Sequence, residues 1–150
     1  MKKFFKRLII ALIFIFGLIW IYACSLIGVN KKVKLHFSNL KIEILKQGYQ
    51  TNFYVISGRR WQLDNYLLNK FGGAASKSKH KDGDAIDLII FDVNNDGKSD
   101  AQDVNIVYKI LDIKIIGNKG GVGTYKNEND FLNQQMIHFD SRGSKARWHR

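Results

Sequence analysis

The first pattern along the chain is uniform, not periodic. Residues 8–29 run for 22 positions without a charge, dominated by Leu, Ile and Phe, behind Lys2, Lys3, Lys6 and Arg7. As a single helix rising 1.5 Å per residue, that run reaches roughly 33 Å, enough for a bilayer core. It also lacks the polar face that a helix packed on a protein surface would show. The pattern therefore predicts an N-terminal signal-anchor or transmembrane segment over residues 1–29. Two other readings fit the same run: a cleaved signal peptide, and a lipid-attachment site in which Ile21-Tyr22-Ala23 precede Cys24, with Tyr22 where a small residue is usual.

Residues 30–150 show no long linker, repeat or low-complexity tract, and so predict one domain. Residues 33–47 mix apolar and basic positions without deciding between strand and helix. Residues 52–57 (NFYVIS) have the aromatic and β-branched content of a strand. Residues 61–71 space Trp61, Tyr66, Leu67, Leu68 and Phe71 as a short amphipathic helix ended by Gly72-Gly73, followed by a small polar loop over 74–82. Residues 85–91 (AIDLIIF) read as a largely buried strand. Val104, Val107, Tyr108 and Leu111 recur at helical spacing and predict a helix over 101–111. A glycine-rich stretch over 117–123 and a strand over 135–140 complete the order. There are too few helices for alternating βαβ units, so the expected class is α+β with an antiparallel sheet and a few helices.

Charge changes this picture in one respect. The chain has 24 Lys+Arg against 13 Asp+Glu, a net charge of +11, which by itself suggests a polyanionic partner. Seven of the 13 acids, however, fall in the 22-residue window of Asp82, Asp84, Asp87, Asp92, Asp96, Asp100 and Asp103. Carboxylates gathered this tightly in a basic protein point to cations. With one cysteine, neither an internal disulfide nor a multi-cysteine zinc cluster is available. An exported domain also argues against nucleic acid. The C-terminal Arg142, Lys145, Arg147, His149 and Arg150 read either as a grip on anionic polymer or as a solvated basic edge.

Two constellations carry chemistry. His80, Asp87 and His138 supply two imidazoles and one carboxylate, a set that zinc accepts with an open fourth position. The bland alternative is two solvated histidines and a turn aspartate. Ser78-x-His80-x-x-Gly83-x-Ala85-x-Asp87 resembles the signature of the zinc D-Ala-D-Ala peptidase and hedgehog amino-terminal superfamily, closest to its YcbK-like murein peptidases. Four further features occur in the same order: Ser57-Gly58-Arg59-Arg60 (with Arg59 where Tyr is usual), Asn65, Gly120-Gly121-Val122-Gly123-Thr124-Tyr125, and Ile137-His138-Phe139-Asp140 followed by Arg147-Trp148. The resemblance covers residues 50–148 apart from one insertion.

It implies a hedgehog/D-Ala-D-Ala-peptidase-like fold and zinc on His80, Asp87 and His138. It also implies that Arg60 holds a substrate carboxylate or steadies an oxyanion, tasks that suit a planar guanidinium. The implied activity is hydrolysis of peptidoglycan stem-peptide amides, as an endopeptidase or carboxypeptidase. The implied location is a bacterial cell membrane, single-pass, with the domain facing the periplasm or the cell exterior. Gln135 and Met136 stand where many relatives carry the general base. Asp140 shares a strand face with His138, and is left as either the base or the partner that orients a ligand imidazole. Two other classes fit the residues: a catalytically silent, hedgehog-like zinc and calcium module, and a polyanion-binding membrane protein.

The second constellation is residues 92–103. Asp92, Asn94, Asp96, Asp100 and Asp103 stand at loop positions 1, 3, 5, 9 and 12, with Gly97 at 6 and the Lys98 carbonyl at 7. This is an EF-hand layout. It resembles a single dockerin-type calcium repeat inserted between the zinc ligands, where calcium would order the connection.

Overall fold

The computed structural model describes all residues except 1, 24, 62–65, 67–68, 71–76, 126–134 and 150. The helix expected over 61–71, with Asn65 and Gly72-Gly73, and also Cys24, therefore lie largely or wholly outside the described residues. Helix α1 is Lys2–Ala23, α2 is Lys31–Lys46 and α3 is Ala101–Ile110. The strands are β1 (Phe53–Ser57), β2 (Ala85–Ile90), β3 (Gly121–Thr124), β4 (Met136–Asp140) and β5 (Ala146–His149).

The membrane expectation is corrected. Among the described residues, no helix is long and apolar enough to cross a membrane. The uncharged run does not form one helix. Its helical part is residues 8–23, about 24 Å at the α-helical rise, against about 30 Å of hydrocarbon. Beyond Ala23 the chain turns, with Gly28 at φ 72°. Leu26 then packs against the domain core and Val29 is buried in it. Single-pass anchoring with an outward-facing domain is thus unsupported. The last apolar residues of the run belong to the folded domain.

The undecided segment is a helix. In α2, Val33, Phe37, Leu40 and Ile44 are buried, and this 4-3-4 spacing places them on one face. The helix α3 starts at Asp100, which accepts from the Gln102 amide at 2.7 Å and forms a reciprocal capping box with Asp103; such a cap satisfies otherwise orphaned amide groups. The helix continues through a wide π-helical turn, Leu111–Ile116, beyond the expected end at 111. Arg147 clamps this turn by donating to Asp112 and to the carbonyls of Gly117 and Gly120.

The sheet is mixed, not wholly antiparallel, in the order β1-β2-β4-β3-β5. The pairs β1–β2, β2–β4 and β3–β4 are antiparallel, while β3–β5 is parallel. The reason is that both edges of β4 are already taken. The chain reverses after Asp140 and lies down beyond β3, which runs against β4 and so runs with β5.

Alternation gives the sheet two different faces. Ile86, Leu88, Ile90, Val122, Ile137 and Phe139 point to one core with the buried faces of α2 and α3. Asp87, His138, Asp140, Gly121 and Gly123 fall on the opposite face.

Candidate metal centre

The register builds the site. Asp87 lies directly across from His138, and His138 lies directly across from Gly123. The next row pairs Ala85 with Asp140 and Asp140 with Gly121. His80 comes from the turn before β2 and is only 2% exposed, beside Asp87 at 3% and His138 at 7%. One ligand atom from each of the three lies within 4.8 Å of the others. His80 Nε2 is 3.2 Å from Asp87 Oδ1 and 3.2 Å from His138 Nδ1, and His138 Nδ1 is 2.7 Å from Asp87 Oδ1.

The outer nitrogens decide what the inner ones are. His80 Nδ1 is 2.7 Å from the Gly58 carbonyl, which can only accept, so that nitrogen carries the proton. His138 Nε2 is 3.2 Å from Asp140 Oδ2. Asp140 is held ionised: burial pushes its carboxyl up, but hydrogen bonds from His138 and Arg142 outweigh it and hold it well below the usual carboxylate range. His138 Nε2 is therefore also a donor. What remains are two imidazole lone pairs and a carboxylate oxygen, all aimed at one point. Such convergence of acceptors requires a cation between them, either a proton or a metal. The His80–Asp87–His138 group can hold a metal ion.

Charge within the group supports this. Burial pushes Asp87 up, yet the two imidazoles hold it well below the usual range. Burial pushes His138 down, while hydrogen bonds to Asp140 and Asp87 raise it above its ordinary value of 6.5. A proton on His138 competes with a metal for the same lone pair. Metal affinity is therefore expected to fall as pH drops through the raised His138 pKa, a decline that sets in above 6.5 and reaches about tenfold per unit. Asp87 remains ionised there and adds nothing. Competition titrations between pH 6 and 8 check this, and a flat profile contradicts it.

No protein-family model and no curated protein matches the chain.

The other expected residues are placed as follows. Arg60 sits beside the group, not apart from it. Its Nη2 donates to Asp87 Oδ2, and its Nε donates to Ser57 Oγ at 2.8 Å. This leaves Asp87 Oδ1 toward the histidines. Asp140 is fully buried on the far side of the His138 ring. Its carboxylate accepts from the Gly121 amide at 3.0 Å and from the Arg142 backbone and guanidinium. Gly121 is required here, because a Cβ would stand 2.4 Å from Asp140 Oδ2.

Residues 92–103 show a different economy. Asp92 accepts from the Asp96 and Gly97 amides, Asn94 from Asp96, and Asp96 from Lys98. Asp100 caps α3, and Asp103, 1% exposed, accepts from the amides of Val93 (2.7 Å), Asn94 (3.1 Å) and Asp100 (3.0 Å). Among the described residues, the loop does not gather three carboxylates within the 4.8 Å seen for the histidine group. This geometry gives calcium no support. Replacing Asp103 with alanine strands three amides, and is expected to cost about 1–3 kcal/mol without any added calcium. Denaturant unfolding in chelator checks this.

Three residues near the centre were not singled out from sequence for this site. Gly58 was only part of a motif, yet its carbonyl fixes the His80 tautomer. Arg142 reads from sequence as a grip on anionic polymer or a solvated basic edge, while its i,i+2 spacing from Asp140 at a strand end is the available signal. Trp148 lies with its ring centroid 5.3 Å from that of His138.

Proposed function

We propose that the chain is a zinc-dependent peptidase hydrolysing peptidoglycan stem-peptide amides at the His80–Asp87–His138 centre. The observation that carries the metal is the convergence of two imidazole nitrogens and one carboxylate oxygen, the outer N–H groups of both imidazoles already donating elsewhere. Two nitrogens and one oxygen leave a tetrahedral ion an open position, which favours zinc in a catalytic arrangement. The substrate class rests on the ordered motifs around residues 57–60, 78–87, 120–125 and 137–148.

A bound zinc supplies Lewis acidity for the attack of water on an amide carbonyl. The chain's own residues hold and orient. The outer N–H groups of His80 and His138 donate to the Gly58 carbonyl and to Asp140, which turns both inner nitrogens toward the metal position, where a metal displaces any proton on His138. Arg60 holds Asp87 by one oxygen and leaves the other to the metal. We assign Asp140 the positioning role, because its oxygens face His138 Nε2, Gly121 and Arg142.

That assignment favours one second reading, a catalytically silent zinc module. Among the described residues, no carboxylate other than Asp87 and Asp140 is hydrogen-bonded to the ligand histidines. Incubating zinc-loaded full chain with purified muropeptides separates the two. The peptidase reading expects peptide release that is lost in His138→Ala. Loaded protein with no release supports the module.

A further inference from the structure

We propose that residues 25–30, between α1 and α2, form a positioning strap for the metal centre, acting on the two loops that hold His80. This rests on the metal reading of that centre. One loop carries Gly58, whose carbonyl accepts from His80 Nδ1. The other is the turn running from His80 to Asp84. The backbone carbonyl of His80 joins them, accepting from the amides of Arg60 at 3.0 Å and Gly83 at 3.1 Å.

The strap touches both loops through positions where a side chain has no room. A Cβ on Gly58 would stand 2.2 Å from the Ser25 carbonyl and 3.2 Å from Val29 Cγ2. A Cβ on Gly83, at φ 74°, would stand 2.4 Å from the Gly28 carbonyl. Direct bonds then fasten the second loop. The Asn30 amide donates to the Gly83 carbonyl at 2.9 Å. The Asn30 side chain donates to the Asp82 carbonyl and to Asp84 Oδ1.

Asn30 is also the N-cap residue of α2, but its side chain makes no cap hydrogen bond. An asparagine there would ordinarily cap the helix. Here its amide is turned onto the loop leading to the ligands. Val29, 4% exposed, anchors the strap in the core. The metal-holding unit thus begins ahead of α2, at about residue 25, and couples the exit of α1 to the seat of His80.

Full-length Asn30→Asp tests this, since it loses the donor and sets a second carboxylate against Asp84. Asn30→Ala loses the donor alone, and Ile44→Val serves as a core substitution at the far end of α2. Zinc affinity, measured by chelator competition, is expected to fall in the order Asn, Ala, Asp. The total loss is about tenfold, the scale of partners that orient metal ligands, and Ile44→Val should leave the affinity unchanged. Unchanged affinity in Asn30→Asp, or an equal loss in Ile44→Val, overturns the strap. If the parent chain takes up no zinc, the metal reading fails separately. The strap is then judged by hydrogen exchange at the Arg60 and Gly83 amides. Faster exchange in Asn30→Asp but not in Ile44→Val supports it, and equal rates overturn it.

Discussion

Replacing Asp87 with alanine is expected to abolish metal uptake and to destabilise the metal-free chain by about 3 kcal/mol. The figure is at the low end for breaking a buried ion pair, because the Arg60 side chain is 16% exposed and regains some water. Asp87 is the common partner of Arg60, His80 and His138. Its removal leaves a guanidinium and two imidazoles facing one another with no anion between them. His138 also loses one of the two carboxylates that raise its pKa, so its titration should move down. Urea unfolding in chelator gives the stability, and histidine NMR gives the titration. A variant as stable as its parent, with His138 unmoved, contradicts the arrangement.

The second large effect concerns glycine 123. A Cβ there would lie 2.0 Å from Trp148 Cε2 and 2.2 Å from its Nε1. The obstacle is a rigid ring on the paired strand, which cannot yield as a flexible chain end does. Gly123→Ala should push Trp148 off His138 and loosen the β3–β5 pair, costing about 1–3 kcal/mol. In a Trp148→Ala background the clash is gone and the same substitution should cost little. The coupling is expected at about 1–3 kcal/mol, within the range for residues in contact. Additive costs in the double-mutant cycle contradict the assigned packing.

This pair also shows what sequence reading can and cannot reach. The strand over residues 85–91 was legible because AIDLIIF is β-branched and apolar except for one carboxylate. The structure ends it at Ile90 and sets that carboxylate across from His138. The α3 helix was legible from the spacing of Val104, Val107, Tyr108 and Leu111, whereas Asp100 and Asp103, which cap it, read from sequence only as calcium ligands. By contrast, α2 was ambiguous because Leu35, Ile42 and Leu45 are apolar yet exposed, blurring the stripe made by Val33, Phe37, Leu40 and Ile44.

The errors have a common physical origin. Hydropathy along residues 8–29 does not record where a helix stops, and here packing of Leu26 and Val29 into the core takes the end of the run away. Parallel pairing of β5 depends on which sheet edges are free, which no local pattern encodes. Apart from these, the calcium reading of residues 92–103 is left without support, the described oxygens accepting from the loop's own amides. Asn30 acts on Asp82 and Asp84, more than fifty residues away in sequence, and no local pattern marks it for that role.

Zinc titration of the purified full chain against a competing chelator at pH 7.5 bears most directly on the central claim. The account predicts one ion bound per chain. It also predicts a rise in unfolding free energy of about 2.7 kcal/mol when free zinc is 100 times the dissociation constant, with both effects lost in His80→Ala and in His138→Ala. A parent chain that binds no zinc, or binding that survives both substitutions, would contradict it.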